Sequence, residues 1–149
     1  MWDEKQILNR VANKNTEDIF TIHDGPPYAI GDLHIGHALN KILKDFFNRY
    51  KLLEGYKVHY VPSWDCHGLP IELKVLQSID QEATKELTPL KLRNKVAQFS
   101  KKTVDSQRKS FRRYRIWGEW ENPYLTLAPK YEATQIEVFG QFFFLGLHL

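Results

Sequence analysis

His34 and His37 lie three residues apart in the run His34-Ile35-Gly36-His37, so in a helix both imidazoles would lie on one face. If a helix begins here, its unpaired backbone N–H groups and the positive end of its dipole favour an anion such as a polyphosphate. The two imidazoles could donate hydrogen bonds to that anion, and Gly36 would let a flat base or a backbone approach closely. Taken alone the pattern is weak evidence, because histidines and a glycine at a helix start are more often capping and surface residues.

The surrounding residues predict a strand, a helix and a second strand that would position these histidines. Ile19–His23 is an apolar run typical of a short buried strand, and the turn residues Asp24–Pro27 end it. From His34 onward, apolar side chains recur on one stripe of a helix, and Gly55 is placed to end that helix. The stripe consists of Ile35, Leu39, Ile42, Leu43, Phe46, Tyr50 and Leu53. Val58–Val61 is predicted to be the second strand.

Strand, helix and strand in this order form the unit that gives parallel sheets with right-handed crossovers. The loops Tyr28–Leu33 and Trp64–Gly68 follow the two strands, the second loop after Pro62. Both loops would leave the same edge of the sheet, where doubly wound folds bind their ligands. Further helices are predicted at Ile71–Gln77, Pro89–Trp117 and Tyr131–Phe144. The expected fold class is α/β, a parallel sheet with flanking helices.

The composition of the 149 residues, with 42% hydrophobic and 26% charged side chains, predicts one globular unit. The apolar stretch Phe142–Leu147 is far shorter than the roughly 20 residues that cross a bilayer, so no membrane association is expected. A single cysteine excludes an internal disulfide, and the neighbours Cys66 and His67 lack the spaced partners of a zinc site. No structural metal is expected. Met1–Lys5 shows no secretory or transit peptide, which leaves the compartment open.

The segment Lys91–Arg115 is strongly basic, with ten basic residues and one acid, Asp105, although the whole chain carries a formal charge of only +3. Leu92, Val96, Phe99 and Thr103 recur through it at helical spacing. We expect a helix with this face packed and the basic side chains outside. The basic face is either simply solvated or in contact with phosphates.

Two segments at matching separation resemble isoleucyl-tRNA synthetases of the bacterial and mitochondrial type. The first comprises Gly25-Pro26-Pro27-Tyr28-Ala29, Leu33-His34-Ile35-Gly36-His37-Ala38 and Asn40-Lys41-Ile42-Leu43-Lys44-Asp45. The second is Trp64-Asp65-Cys66-His67-Gly68-Leu69-Pro70-Ile71-Glu72. His34–His37 matches the HIGH signature of that family, and the resemblance runs from about Trp2 to the last residues. Valyl and leucyl relatives share the signature but not the Asp-Cys-His-Gly-Leu-Pro loop.

This resemblance implies the first half of a Rossmann-like class I catalytic domain, which adenylates isoleucine with ATP and transfers it to tRNA(Ile). His34 and His37 would hold the ATP phosphates, with Gly36 under the adenosine and Mg²⁺ accompanying the phosphates. Pro26 would line the isoleucine pocket as rigid apolar surface, and Asp65 would bind the ammonium group of isoleucine. A carboxylate outside a strand end can pair with an ammonium in a partly dehydrated pocket. The alternatives are that Asp65 is a turn-capping acid and Pro26 an ordinary turn proline.

Two positions depart from the family pattern. Ile30 stands where asparagine is usual, and Ser63 stands where glycine usually precedes the tryptophan. If either position needs a positive φ, isoleucine is strongly disfavoured and serine moderately so, which would distort the loop. The tail Phe142–Leu145 is also more apolar than the helix end expected there. Reduced activity, or a decayed or truncated gene product, is therefore an open alternative.

The resemblance further implies that residues 1–149 form only the amino-terminal part of the catalytic domain. The editing insertion, the KMSKS loop that closes on the phosphates and the anticodon-binding domain would lie beyond Leu149. Residues 1–149 alone are expected to be inactive, because half of the phosphate clamp is missing. The full-length enzyme is expected to be a monomer in the mitochondrial matrix or the bacterial cytoplasm, with the mitochondrion slightly favoured.

Two other functions stay open beside this one. The chain could be another nucleotidyltransferase with a His-x-Gly-His motif, acting on a different acid or phosphate, although the block Trp64–Glu72 argues against it. It could also be a non-catalytic derivative that binds tRNA or a partner through the basic face of Lys91–Arg115. Pyrophosphate exchange with a panel of amino acids tests the first alternative, and salt-dependent tRNA binding without exchange would favour the second.

Overall fold

A computed structural model describes residues 7–14, 18–80 and 87–146 of the chain. The helices of this part are α1 (Ile7–Ala12), α2 (Ile35–Leu53), α3 (Leu69–Gln77), α4 (Pro89–Arg113) and α5 (Pro129–Phe144). Its strands are β1 (Ile19–Thr21), β2 (Lys57–His59), β3 (Ser63–Trp64) and β4 (Tyr124–Leu125). The predicted α/β class is confirmed, with short parallel strands between longer helices.

Parallel pairing joins β1 to β2 across α2, with Ile19 opposite Lys57. This is the predicted strand, helix and strand unit. Both strands are shorter than predicted, since β1 does not include His23 and β2 does not include Val61. The prediction that β1 is buried is also wrong, because Ile19 is 66% exposed.

A second parallel pair, formed by β3 and β4, lies where a loop was expected to start. Trp64 of β3 lies opposite Leu125 of β4. The chain changes its pairing partner before Val61, because the Tyr60 carbonyl accepts a hydrogen bond from the Glu119 N–H at 3.0 Å. The strand predicted at 58–61 is thus divided between two partners that are distant in sequence.

Helix α2 ends at Leu53, close to the predicted position. The C-cap Glu54 and then Gly55 follow it, and the φ of +97° at Gly55 favours glycine. The face that α2 packs against the rest of the described chain is not the apolar stripe. Much of that stripe is exposed, from Ile35 at 85% to Leu53 at 83%. The buried residues of α2 are instead Ala38, Lys41, Asp45, Asn48 and Leu52.

Specific polar contacts explain why the polar side of α2 is buried. The ammonium of Lys41 forms an ion pair with Asp24, and Asp45 accepts hydrogen bonds from Arg49 Nε at 2.6 Å and from the Trp117 N–H at 2.9 Å. Such contacts depend on the tertiary fold and leave no periodic signal. The amphipathic pattern therefore predicted the helix, but it did not predict which face of the helix is buried against the other described residues.

The core lies between α4 and the strand β3. Rings of Trp64, Phe111 and Trp120 pack together with centroids 6.0 to 6.4 Å apart. Val96 and Val104 of α4 are buried in the same cluster, and Leu92 and Phe99 pack partly against it. The predicted packed face of the basic helix is confirmed. Burial of these aromatic and branched side chains is the main favourable contribution to folding.

The remaining helix boundaries differ slightly from prediction. Helix α4 ends at Arg113 and not at Trp117, and Arg115 adopts a φ of 61° just after it. Helices α3 and α5 each begin two residues before their predicted starts, with Pro70 or Pro129 in the first turn. In the residues that the structure describes, no helix has the length and apolarity needed to traverse a membrane.

Candidate functional site

The start of α2 is built by His34 and His37, which cap the helix reciprocally. His34 Nδ1 accepts a hydrogen bond from the Gly36 N–H at 3.0 Å, and His37 Nδ1 accepts one from the His34 N–H at 3.3 Å. The two rings are stacked with their centroids 3.8 Å apart. The arrangement is a capping box in which imidazoles replace the usual hydroxyl and carboxylate groups.

This capping changes the anion site predicted from the sequence. The Gly36 N–H is already paired, because it donates a hydrogen bond to the ring of His34. Since both Nδ1 atoms accept hydrogen bonds, each neutral imidazole carries its proton on Nε2. Burial, together with the neighbouring charges of His34 and Lys41, lowers the pKa of His37 below 6.5 and favours that neutral form. The helix start therefore offers two preset Nε2–H donors.

The His34 ring gives a structural reason for a glycine at position 36, which the motif alone does not reveal. A Cβ at this position would lie 2.9 Å from Cε1 and 3.0 Å from Nδ1 of His34. Any larger residue would push the His34 ring away from its capping position. The absence of a side chain at Gly36 thus keeps the imidazole in place, whether or not a base approaches the same surface.

Asp65 has one carboxylate oxygen engaged within the protein. Its Oδ1 accepts hydrogen bonds from the His67 N–H at 3.3 Å and from the Thr126 hydroxyl at 3.4 Å. Among the described residues no hydrogen bond to Oδ2 is found. Asp65 is half-buried, so its free oxygen lies at a partly dehydrated surface. Oδ1 acts as the turn cap considered from the sequence, and Oδ2 is the atom that could accept a hydrogen bond from an ammonium.

A short parallel ladder brings together the two loops predicted to carry the site. The Ala29 N–H donates to the Asp65 carbonyl at 2.8 Å, and the Asp65 N–H donates to the Pro27 carbonyl at 2.9 Å. Pro26, predicted to line an apolar pocket, immediately precedes this ladder and is exposed, whereas Pro27 is buried. Pro26 thus lies next to the residues that pair with Asp65, but the described residues do not form an enclosed pocket around Pro26.

Asp24 is the central polar residue of the site, although the sequence indicated only a turn residue there. Its side chain is 2% exposed and forms ion pairs with Lys41 and with Lys44, the latter at 3.0 Å. It also accepts hydrogen bonds from the Ser63 N–H at 2.9 Å and from the Tyr60 hydroxyl at 3.2 Å. Asp24 therefore joins α2, one turn beyond His37, to the strand that leads into Asp65.

The electrostatics of this cluster favour a charged Asp24. Burial alone raises the pKa of the Asp24 carboxyl, but the Lys41 ammonium and the donors of Ser63 and Lys44 outweigh it and hold the pKa below 3.8. Burial next to this carboxylate raises the pKa of Tyr60, so its hydroxyl stays a donor. The only sequence signal for the cluster is the spacing of Lys41 and Lys44, which puts both on one side of α2.

Neither Ile30 nor Ser63 has a positive φ, so the condition under which they would distort the loop is not met. Among the described residues, Arg115 is the one residue other than glycine with a positive φ, and Gly31 carries the left-handed conformation in the loop. Ile30 packs against the core. The hydroxyl of Ser63 donates to Asp24 at 3.1 Å, so serine adds a contact that glycine would lack.

Cys66 and His67 have structural partners. The Cys66 thiol is buried, and burial raises its pKa to about 11, which makes it unreactive at neutral pH. His67 Nε2 lies 3.3 Å from Glu132, which also pairs with Arg93 at 2.7 Å. Within residues 7–14, 18–80 and 87–146, no three His, Cys, Asp or Glu side chains are grouped to hold a metal ion.

The basic helix α4 carries two kinds of cation. Arg93, Arg108 and Arg112 form ion pairs with acidic neighbours. The outward side, opposite the buried face, carries Lys95, Lys102, Lys109 and Arg113, all exposed. Within the part of the chain that the structure describes, these four have no hydrogen-bond or ion-pair partner. We refer to them as the outer basic stripe, which extends over roughly 27 Å at 1.5 Å per residue.

The chain is similar to a known protein family over nearly its whole length. Residues 1–147 match the family described as tRNA synthetases class I (I, L, M and V). The chain is 68% identical over 141 residues to the chloroplastic/mitochondrial isoleucine–tRNA ligase of Arabidopsis thaliana, covering 95% of this chain and 13% of that protein. It is 61% identical over 145 residues to the isoleucine–tRNA ligase of Nostoc punctiforme, covering 97% of this chain and 15% of that protein.

The fold is also similar to that of a LeuRS–tRNA–LeuAMS ternary complex from Agrobacterium radiobacter. The TM-score is 0.74 at 24% sequence identity, and the match covers 98% of this chain and 18% of the LeuRS chain. At this identity the likeness concerns the fold. The chain thus spans a small part, 13% to 15%, of the length of the two ligases that it matches.

Proposed function

The chain belongs to the class I tRNA synthetases, and from this membership we propose that it forms the amino-terminal part of the catalytic domain of an isoleucine–tRNA ligase. The longer protein would activate isoleucine with ATP and transfer it to tRNA(Ile). The observation that supports this proposal most directly is the pairing of Tyr28 with Asp65, which joins the segment between Pro26 and the start of α2 to the segment that carries Asp65. The identities of 61% and 68% to proteins named isoleucine–tRNA ligase support the choice of amino acid.

We propose that the activity belongs to the longer protein. Residues 1–149 would supply one half of the ATP clamp and part of the amino-acid pocket, and the KMSKS half, the editing insertion and the anticodon-binding domain would be separate parts of that protein. The names of the relatives, one chloroplastic/mitochondrial and one cyanobacterial, favour an organelle or a bacterium as the compartment. This adds the chloroplast to the compartments expected from the sequence.

Amino-acid activation fits a site without a nucleophilic side chain. The isoleucine carboxylate, already ionised at neutral pH, attacks the α-phosphorus of ATP, and pyrophosphate leaves. No general base is required, so the protein contributes position and hydrogen-bond donors aimed at the phosphate oxygens. The preset Nε2–H donors of His34 and His37 suit this role, because they need no reorganisation when charge develops.

Mg²⁺ would accompany the ATP phosphates and help neutralise their charge. The side chains at the start of α2 are imidazoles, whereas Mg²⁺ prefers oxygen ligands such as carboxylates. The donor set of His34 and His37 therefore does not fit a Mg²⁺ site. We assign these residues to the phosphate oxygens alone.

Asp65→Asn tests the amino-acid end of the site. Asparagine keeps the Oδ1 acceptor for the His67 N–H but removes the negative charge that Oδ2 would present to the ammonium. A charge-assisted pair contributes about 1.5 to 3 kcal/mol, so isoleucine affinity should fall at least about tenfold. ATP affinity should change little. Calorimetric titration of both ligands, on a full-length synthetase that carries this segment, measures the two effects.

Asp18→Asn is the matched control for this experiment, because it makes the same change at an exposed acid before β1. It should leave both affinities unchanged. If Asp65→Asn weakens isoleucine by less than about threefold, which corresponds to under 0.7 kcal/mol, Asp65 is only a turn cap. In that case the proposed pocket is wrong even if the enzyme activates isoleucine.

The outer basic stripe on α4 supports contact with tRNA, as a part of the ligase or in a non-catalytic derivative. Replacing Lys95, Lys102 and Lys109 with glutamine should weaken tRNA binding at low salt. The slope of log K against log salt should fall by about one for each phosphate that the variant no longer neutralises. A triple variant of the exposed residues Lys14, Lys57 and Lys130 has the same net charge and should keep the wild-type slope.

Filter-binding or anisotropy titrations across a salt series measure this slope. Equal reductions in the two triple variants would show that only the total charge matters, and the stripe would then be a solvated face. Binding of tRNA by a full-length protein that lacks isoleucine-dependent pyrophosphate exchange would favour the non-catalytic derivative over the ligase.

A further inference from the structure

Gln107 of α4 is a polar residue in the middle of the apolar core, with 1% of its surface exposed. Its Nε2 donates hydrogen bonds to the carbonyls of Tyr28 at 3.3 Å and Gly31 at 3.0 Å. Its Oε1 accepts a hydrogen bond from the indole Nε1–H of Trp64 at 2.9 Å. Both sides of the amide are therefore used, each toward a different segment of the chain.

The two segments held by Gln107 are those that carry the proposed isoleucine contacts. Tyr28 and Gly31 belong to the loop that directly follows Pro26 and Pro27, and Trp64 directly precedes Asp65. The backbone ladder between Ala29 and Asp65 joins the same two segments, through hydrogen bonds of 2.8 and 2.9 Å. Gln107 binds them from the α4 side. The position of Pro26 relative to Asp65 is thus fixed at two places.

We propose that Gln107 is a positioning residue that sets the distance between the apolar and the ammonium-binding ends of the isoleucine pocket. This inference rests on the proposed function of Pro26 and Asp65. Gln107 acts through the loop carbonyls and the Trp64 indole to which it is hydrogen-bonded. The start of α2 has its own local anchor in the reciprocal caps of His34 and His37, so Gln107 should affect isoleucine more than ATP.

An uncharged amide suits this position better than similar side chains. The two carbonyls need donors and the indole needs an acceptor, and glutamine supplies both without a charge. Glutamate would keep the acceptor but lose the donors, and methionine would fill the same space with neither. An unpaired polar group at a site this deeply buried is costly, so the loop carbonyls would move to find other partners.

The experiment compares Gln107→Met and Gln107→Glu with wild type in isoleucine-dependent pyrophosphate exchange, using a full-length synthetase that carries this segment. We expect the KM for isoleucine to rise at least tenfold in both variants, while the KM for ATP changes less than threefold. Hydrogen exchange of the Ala29 and Asp65 amides should accelerate, while the amide of Lys57 in β2, which donates to the Asp18 carbonyl at 2.9 Å, stays protected. Gln98→Met, an exposed position on the same helix, should change none of these values.

A purely structural role gives a different result, because misfolded molecules lower the active fraction without changing either KM. Active-site titration separates the two cases. A reduced active fraction with unchanged KM values, or loss of the fold in both variants, would assign Gln107 to core stability and overturn the proposal. If wild type itself shows no isoleucine-dependent exchange, the proposed function fails, and this outcome is distinct from a failure of the positioning role alone.

Discussion

Asp24→Asn is expected to destabilise the folded chain by about 3–5 kcal/mol, because it leaves the Lys41 ammonium buried without its counter-ion. The side chains of Asp24 and Lys41 are 2% and 3% exposed, so water cannot replace the missing partner. Asparagine has nearly the same shape, and the destabilisation therefore reports the charge and not a cavity. Urea denaturation of wild type and variant measures the difference in free energy of unfolding.

Two further variants make this prediction specific. Asp18→Asn, at an exposed position, should change the stability by less than about 0.5 kcal/mol. The double variant Asp24→Asn, Lys41→Met removes both charges of the pair, while the asparagine oxygen can still accept from the Ser63 N–H, and it should recover part of the stability lost in Asp24→Asn. If Asp24→Asn costs less than about 1 kcal/mol, the ion pair does not hold α2 against β3.

The same pair gives the stability a defined pH dependence. Because the folded-state pKa of Asp24 is held below its ordinary value of 3.8, the unfolded chain binds the proton more readily. The contribution of Asp24 is fully present above pH 3.8 and is lost as the pH falls toward the lowered value. The difference between wild type and Asp24→Asn should therefore shrink below pH 3.8.

His37→Ala should lower the rate of isoleucine activation by about 10²–10³-fold, the usual cost of removing one preset donor from a developing negative charge. Isoleucine affinity should fall much less, because the donor acts where the phosphate charge reorganises. Single-turnover adenylate formation by a full-length synthetase that carries this segment gives the rate, and calorimetry gives the isoleucine affinity.

His59→Ala removes another exposed imidazole, at the end of β2, and should leave the activation rate unchanged. The capping role of His37 must also be considered, since its ring accepts a hydrogen bond from the His34 N–H. Loss of this cap costs about 1 kcal/mol of stability, which thermal unfolding detects independently. An equal reduction in rate and in isoleucine affinity would argue against a phosphate role for His37.

Local signals in the sequence were sufficient for the helices and for the position of the main motifs. The histidine pair and Gly55 bound α2 correctly because capping and positive φ are properties of a few neighbouring residues. The two motifs around His34 and Trp64 and their separation in the sequence were sufficient to recognise the family without knowledge of any contact. The strand lengths were predicted less well. Pairing with β1 ends at His59, and the next residue, Tyr60, bonds to Glu119, which is distant in sequence.

The residues that sequence reasoning missed are joined over long separations. Asp24 meets Lys41 across 17 positions and Ser63 across 39, and Gln107 meets Tyr28 across 79. No periodic pattern records such contacts. For the same reason the exposure of the apolar stripe of α2 was not predicted. The face of α2 that is buried is the one that carries Lys41, which pairs with Asp24.

The hydrogen bonds of Thr126 give the two ends of the site different times of assembly during synthesis. Thr126 accepts a hydrogen bond from the Cys66 N–H at 2.8 Å and donates to Asp65 at 3.4 Å, across 60 and 61 positions of the chain. A ribosome that adds about 5–20 residues per second needs roughly 3–12 s to pass from Asp65 to Thr126. The reciprocal caps of His34 and His37 are local and can form within microseconds once α2 is made. The capped start of α2 can thus be in place early in translation, while the carboxylate of Asp65 waits for Thr126.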